Sequence, residues 1–294
     1  MSATRDLERG RTTHEAVDAV FGADRDAFVS LQRAAGLQYF SDGLLHWQDL
    51  FRPLVGGTDG LDADGLARWF DNNSFYRTPV ASGRPALSQE PEVFADVDAL
   101  PAPRVATLPS PYLFARAARG LGIGEAAEAI LRPAAEALVA LGCALIHLED
   151  PWIGFHGIDR AEWASLEEAL GVLTEALAAT VVFHVFYGDA GPFLDRLRRL
   201  PVAAVGVDLV ETDESAITPH WETGLLAGCL SGRTTVVEDL DATAELVTRV
   251  AERAGPPRLF LSSASELELL PQPVAAEKVR RLGALSARVR GVLL

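Results

Sequence analysis

Short apolar runs alternate with longer helical patterns from residue 100 onward. Between the runs, leucines recur at helical spacing, as at Leu166, Leu170 and Leu173. Strands that alternate with helices are typical of βαβ units, which assemble a parallel sheet. The pattern therefore predicts an α/β fold, with strands at 104–108, 143–149, 180–186, 203–210, 225–230 and 258–262.

The length of the chain limits how these units can be arranged. It has 294 residues, and α/β barrels commonly fill about 250 to 300 residues as one unit. We therefore expect a single domain, 1–294, built as a TIM-type (β/α)8 barrel. Only one further strand is readable, at 37–41, and residues 1–23 contain none. We expect the barrel to be incomplete at its N-terminus, closed by an unread element or left partly open.

Residues 44–103 follow a different pattern and contain no clear βα unit. A Gly/Asp-rich part, 56–65, predicts turns, and an aromatic segment follows at 68–79. A plain loop of this length would be abnormal in a compact domain. We therefore expect an excursion packed over one end of the barrel.

Local signals place some of the helix boundaries. Gly142 is expected to end a helix over 124–141, and Pro133 to kink that helix or to start a second piece of it. Asp159 followed by Glu162 has the spacing of a capping box, which predicts a helix start.

The charge and the cysteines exclude several classes of function. The chain carries 26 basic and 41 acidic residues, a net charge of −15, which repels nucleic-acid phosphates and anionic lipids alike. No apolar stretch reaches the roughly 18 residues that a membrane span needs, so we expect a cytoplasmic protein. Cys143 and Cys229 each lie in an apolar run, which favours two buried thiols over a disulfide or a metal pair.

Polar side chains follow the predicted strands where a parallel barrel gathers its reacting groups, at the carboxyl ends. Each also has a structural explanation: Glu149 and Asp150 could cap the next helix, and His184 could be a satisfied buried histidine. The strand ends offer Asp42, Glu149, Asp150, His184, Tyr187, Asp189, Asp208 or Glu211, Ser263, Ser265 and Glu266.

Five segments resemble, in order and spacing, the cobalamin-independent methionine synthase superfamily, including its short single-barrel methyltransferases. They are Asp42-Gly43, the stretch from Trp69 through Asn72 to Tyr76 and Arg77, Leu108 to Tyr112, Glu149-Asp150-Pro151, and His184 to Asp189. The resemblance implies a barrel that moves a methyl group from a folate or corrinoid carrier to a thiol.

The resemblance also implies a zinc ion, which lowers the pKa of the acceptor thiol and presents it as a thiolate. His184 matches the family's histidine ligand, and Glu211 is the best match for its glutamate. Both cysteine ligands are missing, because Phe186 and Ser265 stand in their places. Phenylalanine cannot ligate a metal, and a neutral serine hydroxyl is a poor substitute for a thiolate.

Two cysteine-free alternatives remain. His184 and Glu211 could hold a harder metal, such as iron or manganese, with Glu266 or Asp189 as a further carboxylate ligand. The site could also hold no metal, which is the alternative we favour, because no spacing forces these groups together.

The favoured hypothesis is a transferase of a methyl or other one-carbon group onto a small thiol or amino-acid acceptor. His184 and Glu211 would serve as general base or metal ligands. The aromatic segment would cover the pocket and exclude water, while acidic side chains orient a cationic or amino-acid substrate. The substrate-binding set is Asp42, Trp69, Asn72, Tyr76, Glu149, Asp150, Tyr187 and Ser265.

Two other functions stay open. Related barrels include the metal-free uroporphyrinogen decarboxylase, and Arg68 and Arg77 could bind substrate carboxylates in such a lyase. The superfamily's two-barrel members also carry a zinc-less amino-terminal barrel, which the aromatic segment resembles equally well. The chain could then be a non-catalytic subunit that partners a complete synthase or a corrinoid protein.

Overall fold

The computed structural model describes residues 9–293, with side chains described up to residue 290. The excursion and the elements before it are α1 (His14–Ala35), β1 (Phe40–Ser41), α2 (Arg52–Gly56), β2 (Thr58–Arg68), β3 (Phe75–Leu87) and α3 (Phe94–Asp98). The first half of the barrel follows as β4 (Arg104–Pro109), α4 (Pro111–Ala117), α5 (Ile123–Glu125), α6 (Arg132–Ala140), β5 (Cys143–Asp150), α7 (Pro151–His156) and α8 (Trp163–Thr174). Its second half comprises β6 (Thr180–Val185), α9 (Leu194–Leu197), β7 (Ala204–Asp208), β8 (Gly224–Leu230), α10 (Leu240–Ala254), β9 (Leu259–Ser263) and α11 (Gln272–Leu293).

Seven strands form one curled, wholly parallel sheet in the order β1, β4, β5, β6, β7, β8, β9. The predicted α/β barrel is confirmed, and the six predicted strands beyond residue 100 fall within two residues of the observed ones. The seventh is shorter than predicted, with two residues instead of 37–41. Within residues 9–293 no strand joins β1 to β9, so the barrel is left open there.

The interior of the barrel has an apolar floor and a polar layer above it. Leu145, Val182, Ala204 and Leu226 form the floor, and Tyr39, Val105 and Phe260 pack against them. Side chains alternate along a strand, so positions two residues further on face the same interior. Those positions are Thr107, His147, His184, Gly206, Gly228 and Ser262. This layer lies between the floor and the carboxyl ends of the strands.

The excursion is a long antiparallel hairpin, β2 with β3, flanked by short helices. The prediction of turns over 56–65 is therefore wrong, because most of that segment belongs to β2. Most β2 residues are exposed, so the strand lacks the alternation of a half-buried one. Phe51 fixes the hairpin to the barrel, since its ring meets those of Trp69, Tyr76 and Phe114 at 5.2 to 6.0 Å.

Two of the three helix-boundary predictions agree with the structure. Gly142 follows the end of α6 with a φ of +85°, a conformation that glycine adopts without strain. Pro133 lies in the first turn of α6, directly after a π-helical stretch, Ala126–Leu131, so it starts a second piece of the helix. The capping box is wrong: α8 has no side-chain cap, and the Glu162 carboxylate instead accepts a hydrogen bond from the Tyr112 hydroxyl.

Cys143 and Cys229 are free and buried, as predicted. Burial raises the pKa of each thiol to about 12, so neither forms a thiolate near neutral pH. No described helix is both long and apolar enough to cross a bilayer.

Candidate ligand-binding site at the carboxyl ends of the strands

An open pocket lies between the excursion and the carboxyl ends of the strands. It encloses about 510 Å³ of empty space, part of which is open to solvent. The barrel contributes Glu149, Glu266 and Glu268. The excursion and the segment before it contribute Leu44, Trp47, Gln48, Asp49, Leu50, Trp69, Ser74, Phe75 and Tyr76.

Glu149 is the most deeply placed carboxylate of this pocket. It lies near the end of β5, its residue is 7% exposed, and its Oε2 has no hydrogen-bond partner in the protein. Burial, and then the neighbouring charges of Glu266 and Glu268, raise its pKa well above the ordinary glutamate value. A cationic ligand or a proton would therefore stabilise this side chain.

Glu266 and Glu268 come three and five residues after the end of β9. Burial raises the pKa of Glu266 to about 7, while Tyr187 and Trp69 act in the opposite direction as hydrogen-bonding neighbours. Its Oε2 is buried without a partner at bonding distance. Glu268 lies at the exposed rim, where the Ser74 hydroxyl approaches its Oε1 at 3.5 Å. From the sequence, Glu266 was predicted only as a possible metal ligand and Glu268 was not predicted, although two acidic residues spaced by two after a strand were a readable signal.

His184 lies in the polar layer below the pocket and is 1% exposed. Two glycines make room for its ring: a Cβ on Gly206 would lie 2.5 Å from its Cδ2, and one on Gly228 would lie 3.1 Å from its Nε2. Its Nδ1 is 3.1 Å from Nε2 of His147, and its own Nε2 has no partner. Burial, followed by His147, lowers the pKa of His184 well below the ordinary value, so the imidazole is neutral.

His147 links the two levels of the site, and sequence analysis missed it. Its Nδ1 is 3.9 Å from Oε1 of Glu149, and burial lowers its pKa to about 4. The signal was present in β5, where His147 and Glu149 are two residues apart and therefore share one face of the strand.

The residues predicted to hold a metal do not fit a zinc ion. Glu211 is exposed, whereas His184 is fully buried. The buried carboxylate at the end of β7 is Asp208, whose Oδ1 accepts the N–H groups of Val210 and Glu211. The Phe186 ring packs beside His184 with centroids 5.1 Å apart. Across residues 9–293, no three His, Cys, Asp or Glu side chains converge as a metal site requires. The predicted pairing of His184 with Glu211 as ligands is therefore corrected, since these donors differ so widely in burial.

Asp150 and Asn72 have structural roles instead of the predicted substrate contacts. Asp150 Oδ1 accepts the N–H of Ile153 at 2.9 Å and so caps α7, while its Oδ2 accepts the Ser110 hydroxyl. Asn72 Oδ1 accepts the N–H of Ser74 at 2.8 Å, which shapes the hairpin tip. Neither residue lines the pocket.

Asp42, Tyr187 and Ser265 are buried close to the site but are not among its lining residues. Asp42 lies beside Trp47, and burial raises its pKa to about 6. Tyr187 has a φ of +66° and neighbours Glu266. Of the predicted substrate-binding residues, the structure brings Trp69, Tyr76 and Glu149 together at the pocket.

The loop after β8 connects this region to the C-terminal helix. The Arg233 guanidinium lies 5.1 Å from the centroid of the Tyr187 ring and donates a hydrogen bond of 2.5 Å to the Asp71 carboxylate at the hairpin tip.

The same loop is held by Lys278 of α11, a fully buried residue and the only lysine in the chain. Its Nζ donates to both carboxylate oxygens of Glu238, at 2.8 and 3.0 Å.

Solved structures of other proteins share this fold. A B12-independent methionine synthase from a Shewanella species, in complex with selenomethionine, aligns with a TM-score of 0.79 and 16% identity over 96% of this chain and 91% of that one. A methyltransferase from Methanosarcina mazei aligns with a TM-score of 0.63 and 15% identity over 91% of this chain and 84% of that one. This chain therefore shares the α/β-barrel fold of these two proteins.

The sequence identifies the family. Residues 38–255 match the family described as cobalamin-independent synthase, N-terminal domain, and the chain belongs to it. A 5-methyltetrahydropteroyltriglutamate–homocysteine methyltransferase of Herpetosiphon aurantiacus is 29% identical over 76% of this chain and 31% of that protein. Its counterpart in Caulobacter vibrioides is 26% identical over 72% and 29% respectively. The chain spans about a third of the length of these relatives.

Proposed function

We propose that the chain is a divergent transferase of a methyl or other one-carbon group, acting on a small molecule bound in the pocket at the carboxyl ends of the strands. One observation carries the proposal: Glu149, a strand-end carboxylate that is 7% exposed, lines a pocket open to solvent and has an oxygen without a partner. The relatives of this chain that are named methyltransferases support the class of reaction.

The side chains of this chain supply acid–base chemistry in this proposal. As the methyl carbon forms a bond to an acceptor N–H or S–H group, its bond to the carrier breaks, the carrier leaves with that electron pair, and the acceptor's proton goes to a base. Burial raises the pKa of Glu149, so this side chain holds a proton more tightly than an ordinary glutamate. Glu149 would take that proton at Oε2. Nδ1 of His147 lies 3.9 Å from its other oxygen, with His184 behind it, and both imidazoles would be neutral polar neighbours of Glu149 near neutral pH. No step is assigned to zinc, because the residues present do not fit it.

A transfer assay tests the proposal. The purified chain is incubated with a methyl-labelled tetrahydropterin or methylcobalamin and a panel of small thiols and amines. We expect label in at least one acceptor and its loss in Glu149→Gln, a change of similar volume. Glu90→Gln, an exposed glutamate of the excursion, is the matched control. Equal activity in wild type and Glu149→Gln would contradict the assignment of the base.

A second candidate is a non-catalytic subunit that binds a complete synthase or a corrinoid protein. The match to an N-terminal domain family and the coverage of about a third of each relative favour it. Absence of transfer by the chain alone, together with complex formation and stimulation of an added complete synthase, would support this candidate. The stimulation should then persist in Glu149→Gln.

The lyase alternative has no comparable support. Arg68 lies 5.9 Å from the Phe75 ring centroid, and Arg77 donates to the Asp64 carbonyl at 3.5 Å. Neither guanidinium lines the pocket, so neither is in place to bind a substrate carboxylate.

A further inference from the structure

We infer that the pocket binds an organic cation, an amine or quaternary ammonium compound without a carboxylate or phosphate group. The inference deepens the proposed function and rests on it in treating this pocket as the substrate site, where an amine could accept the methyl group and a quaternary ammonium compound, which has no N–H proton to lose, would bind without accepting one. It departs from the substrates in the relatives' names, since homocysteine and the pteroyltriglutamate both carry carboxylates.

The charge of the pocket is one-sided. Four carboxylates line it, and no lysine, arginine or histidine does so among the described residues. One carboxylate, Asp49, is already used, because its oxygens accept the N–H groups of Phe51, Arg52 and Arg77. The other three are Glu149, Glu266 and Glu268.

Two of these carboxylates have buried oxygens that lack a donor. Oε2 of Glu149 has no hydrogen-bond partner in the protein. Oε2 of Glu266 has none at bonding distance, although the side chains of Tyr187 and Trp69 lie beside this carboxylate. Buried polar atoms are nearly always paired, and an exception at a pocket calls for a donor from outside the protein. A ligand that brings N–H groups or a positive charge would satisfy both oxygens.

Aromatic rings share the lining of the pocket with these carboxylates. Trp47, Trp69, Phe75 and Tyr76 all line it. Trp69 and Tyr76 meet edge to face, with ring centroids 5.7 Å apart, and Phe51 behind them holds both in place. Aromatic faces attract cations through their quadrupole, and such cages recognise quaternary ammonium groups. Aromatic rings would also accommodate the alkyl part of an organic cation, which a bare metal ion lacks.

An anionic group on the ligand would meet unfavourable charge in the same space. A carboxylate would face Glu149 and Glu266 in a partly desolvated site, where like charges repel more strongly than in water. Arg233, above Tyr187, is engaged by Asp71 and does not line the pocket. A zwitterion or a phosphate ester should therefore be rejected in favour of the corresponding simple cation.

Matched ligand pairs test the inference by isothermal titration calorimetry on the whole chain at pH 8. Choline is compared with glycine betaine, which has a carboxylate in place of the hydroxymethyl group of choline. Cadaverine is compared with lysine, which is the same diamine with an added carboxylate. We expect at least one simple cation to bind saturably and its carboxylated partner to bind at least about tenfold more weakly, a difference of about 1.4 kcal/mol.

Variants locate the binding. Glu266→Gln should weaken the cation at least about tenfold, while Glu90→Gln should leave it unchanged. Glu266 lies on a loop, so this variant is expected to fold, and a thermal unfolding curve checks that it does. Trp69→Leu provides a second variant, for which the loss should be larger with quaternary than with primary amines.

The inference is overturned if no simple cation binds saturably, if the carboxylated partner binds equally well or better, or if Glu266→Gln has no effect. These outcomes are distinct from failure of the proposed function. Binding without methyl transfer would contradict only the transferase, whereas transfer to an amino acid with no preference for simple cations would contradict only this inference.

Discussion

Replacing Lys278 with methionine should destabilise the protein by an amount that the structure allows us to work out. Lys278 is completely buried, and its Nζ donates to the Val236 carbonyl at 2.7 Å and to both oxygens of Glu238. Removing one partner of a buried ion pair costs about 3 to 5 kcal/mol, because the other charge is left unpaired. The side chain of Glu238 is 19% exposed, so water offsets part of that cost, and we expect about 3 kcal/mol.

The corresponding change in melting temperature follows from the length of the chain. At about 2.1 cal/mol/K per residue, unfolding of 294 residues has an entropy of about 0.6 kcal/mol/K near the midpoint. A loss of about 3 kcal/mol should therefore lower the melting temperature by about 5 K.

Differential scanning calorimetry measures this shift. Arg280→Met is the control, since Arg280 lies on the same helix, is exposed and pairs only with Glu277 among the described contacts. It should change the melting temperature by less than about 1 K. The double variant Lys278→Met with Glu238→Gln should recover most of the loss, because the stranded charge is removed. A shift for Lys278→Met no larger than that of Arg280→Met would refute the reasoning.

Two further predictions concern the barrel interior and the pocket. Gly206→Ala should cost about 1 to 3 kcal/mol in urea unfolding, because its Cβ would lie 2.5 Å from Cδ2 of His184. Gly171→Ala in α8, where a Cβ meets nothing within 4 Å, should instead stabilise by about 0.5 to 1 kcal/mol. Glu266 binds a proton more tightly when folded, with a pKa of about 7 against 4.5, so the free energy of unfolding should fall as pH rises from about 4.5 to 7. Glu266→Gln should flatten that slope.

Each of these predictions has an outcome that would contradict it. Equal stability changes at the two glycine positions would show that the space beside His184 does not limit residue size. A pH profile of unfolding that is the same with and without Glu266→Gln would show that this carboxyl does not titrate differently in the folded and unfolded chains.

The strands were predictable because the sheet is parallel and covered on both faces, which leaves near-continuous apolar runs in the sequence. The hairpin was not, because β2 lies on the surface and its glycines and aspartates resemble a turn region. Its pairing partner, β3, is the next strand along the chain, but β3 also has few buried residues and no clear apolar alternation. Neither strand of the hairpin therefore carries the signal of a half-buried strand.

The site residues, too, could be predicted from the sequence only in part. The strand-end rule found both Glu149 and Asp150, but neighbouring residues on a strand point to opposite faces. One therefore lines the pocket, and the other caps α7. The rule predicts positions along a strand and does not by itself say which face is functional. Glu268 was missed because its role depends on where the hairpin tip and its Ser74 come to lie.

The open side of the barrel affects how the whole molecule can deform. Within the described residues, β1 and β9 each have a single hydrogen-bonded neighbour in the sheet, whereas every strand between them has two. The circumference can therefore widen or narrow along the seam where the Tyr39 and Phe260 rings meet, at 6.4 Å, without breaking a ladder of backbone hydrogen bonds. This opening and closing of the seam would shift β9, and with it the glutamates that follow it, relative to Glu149 on β5.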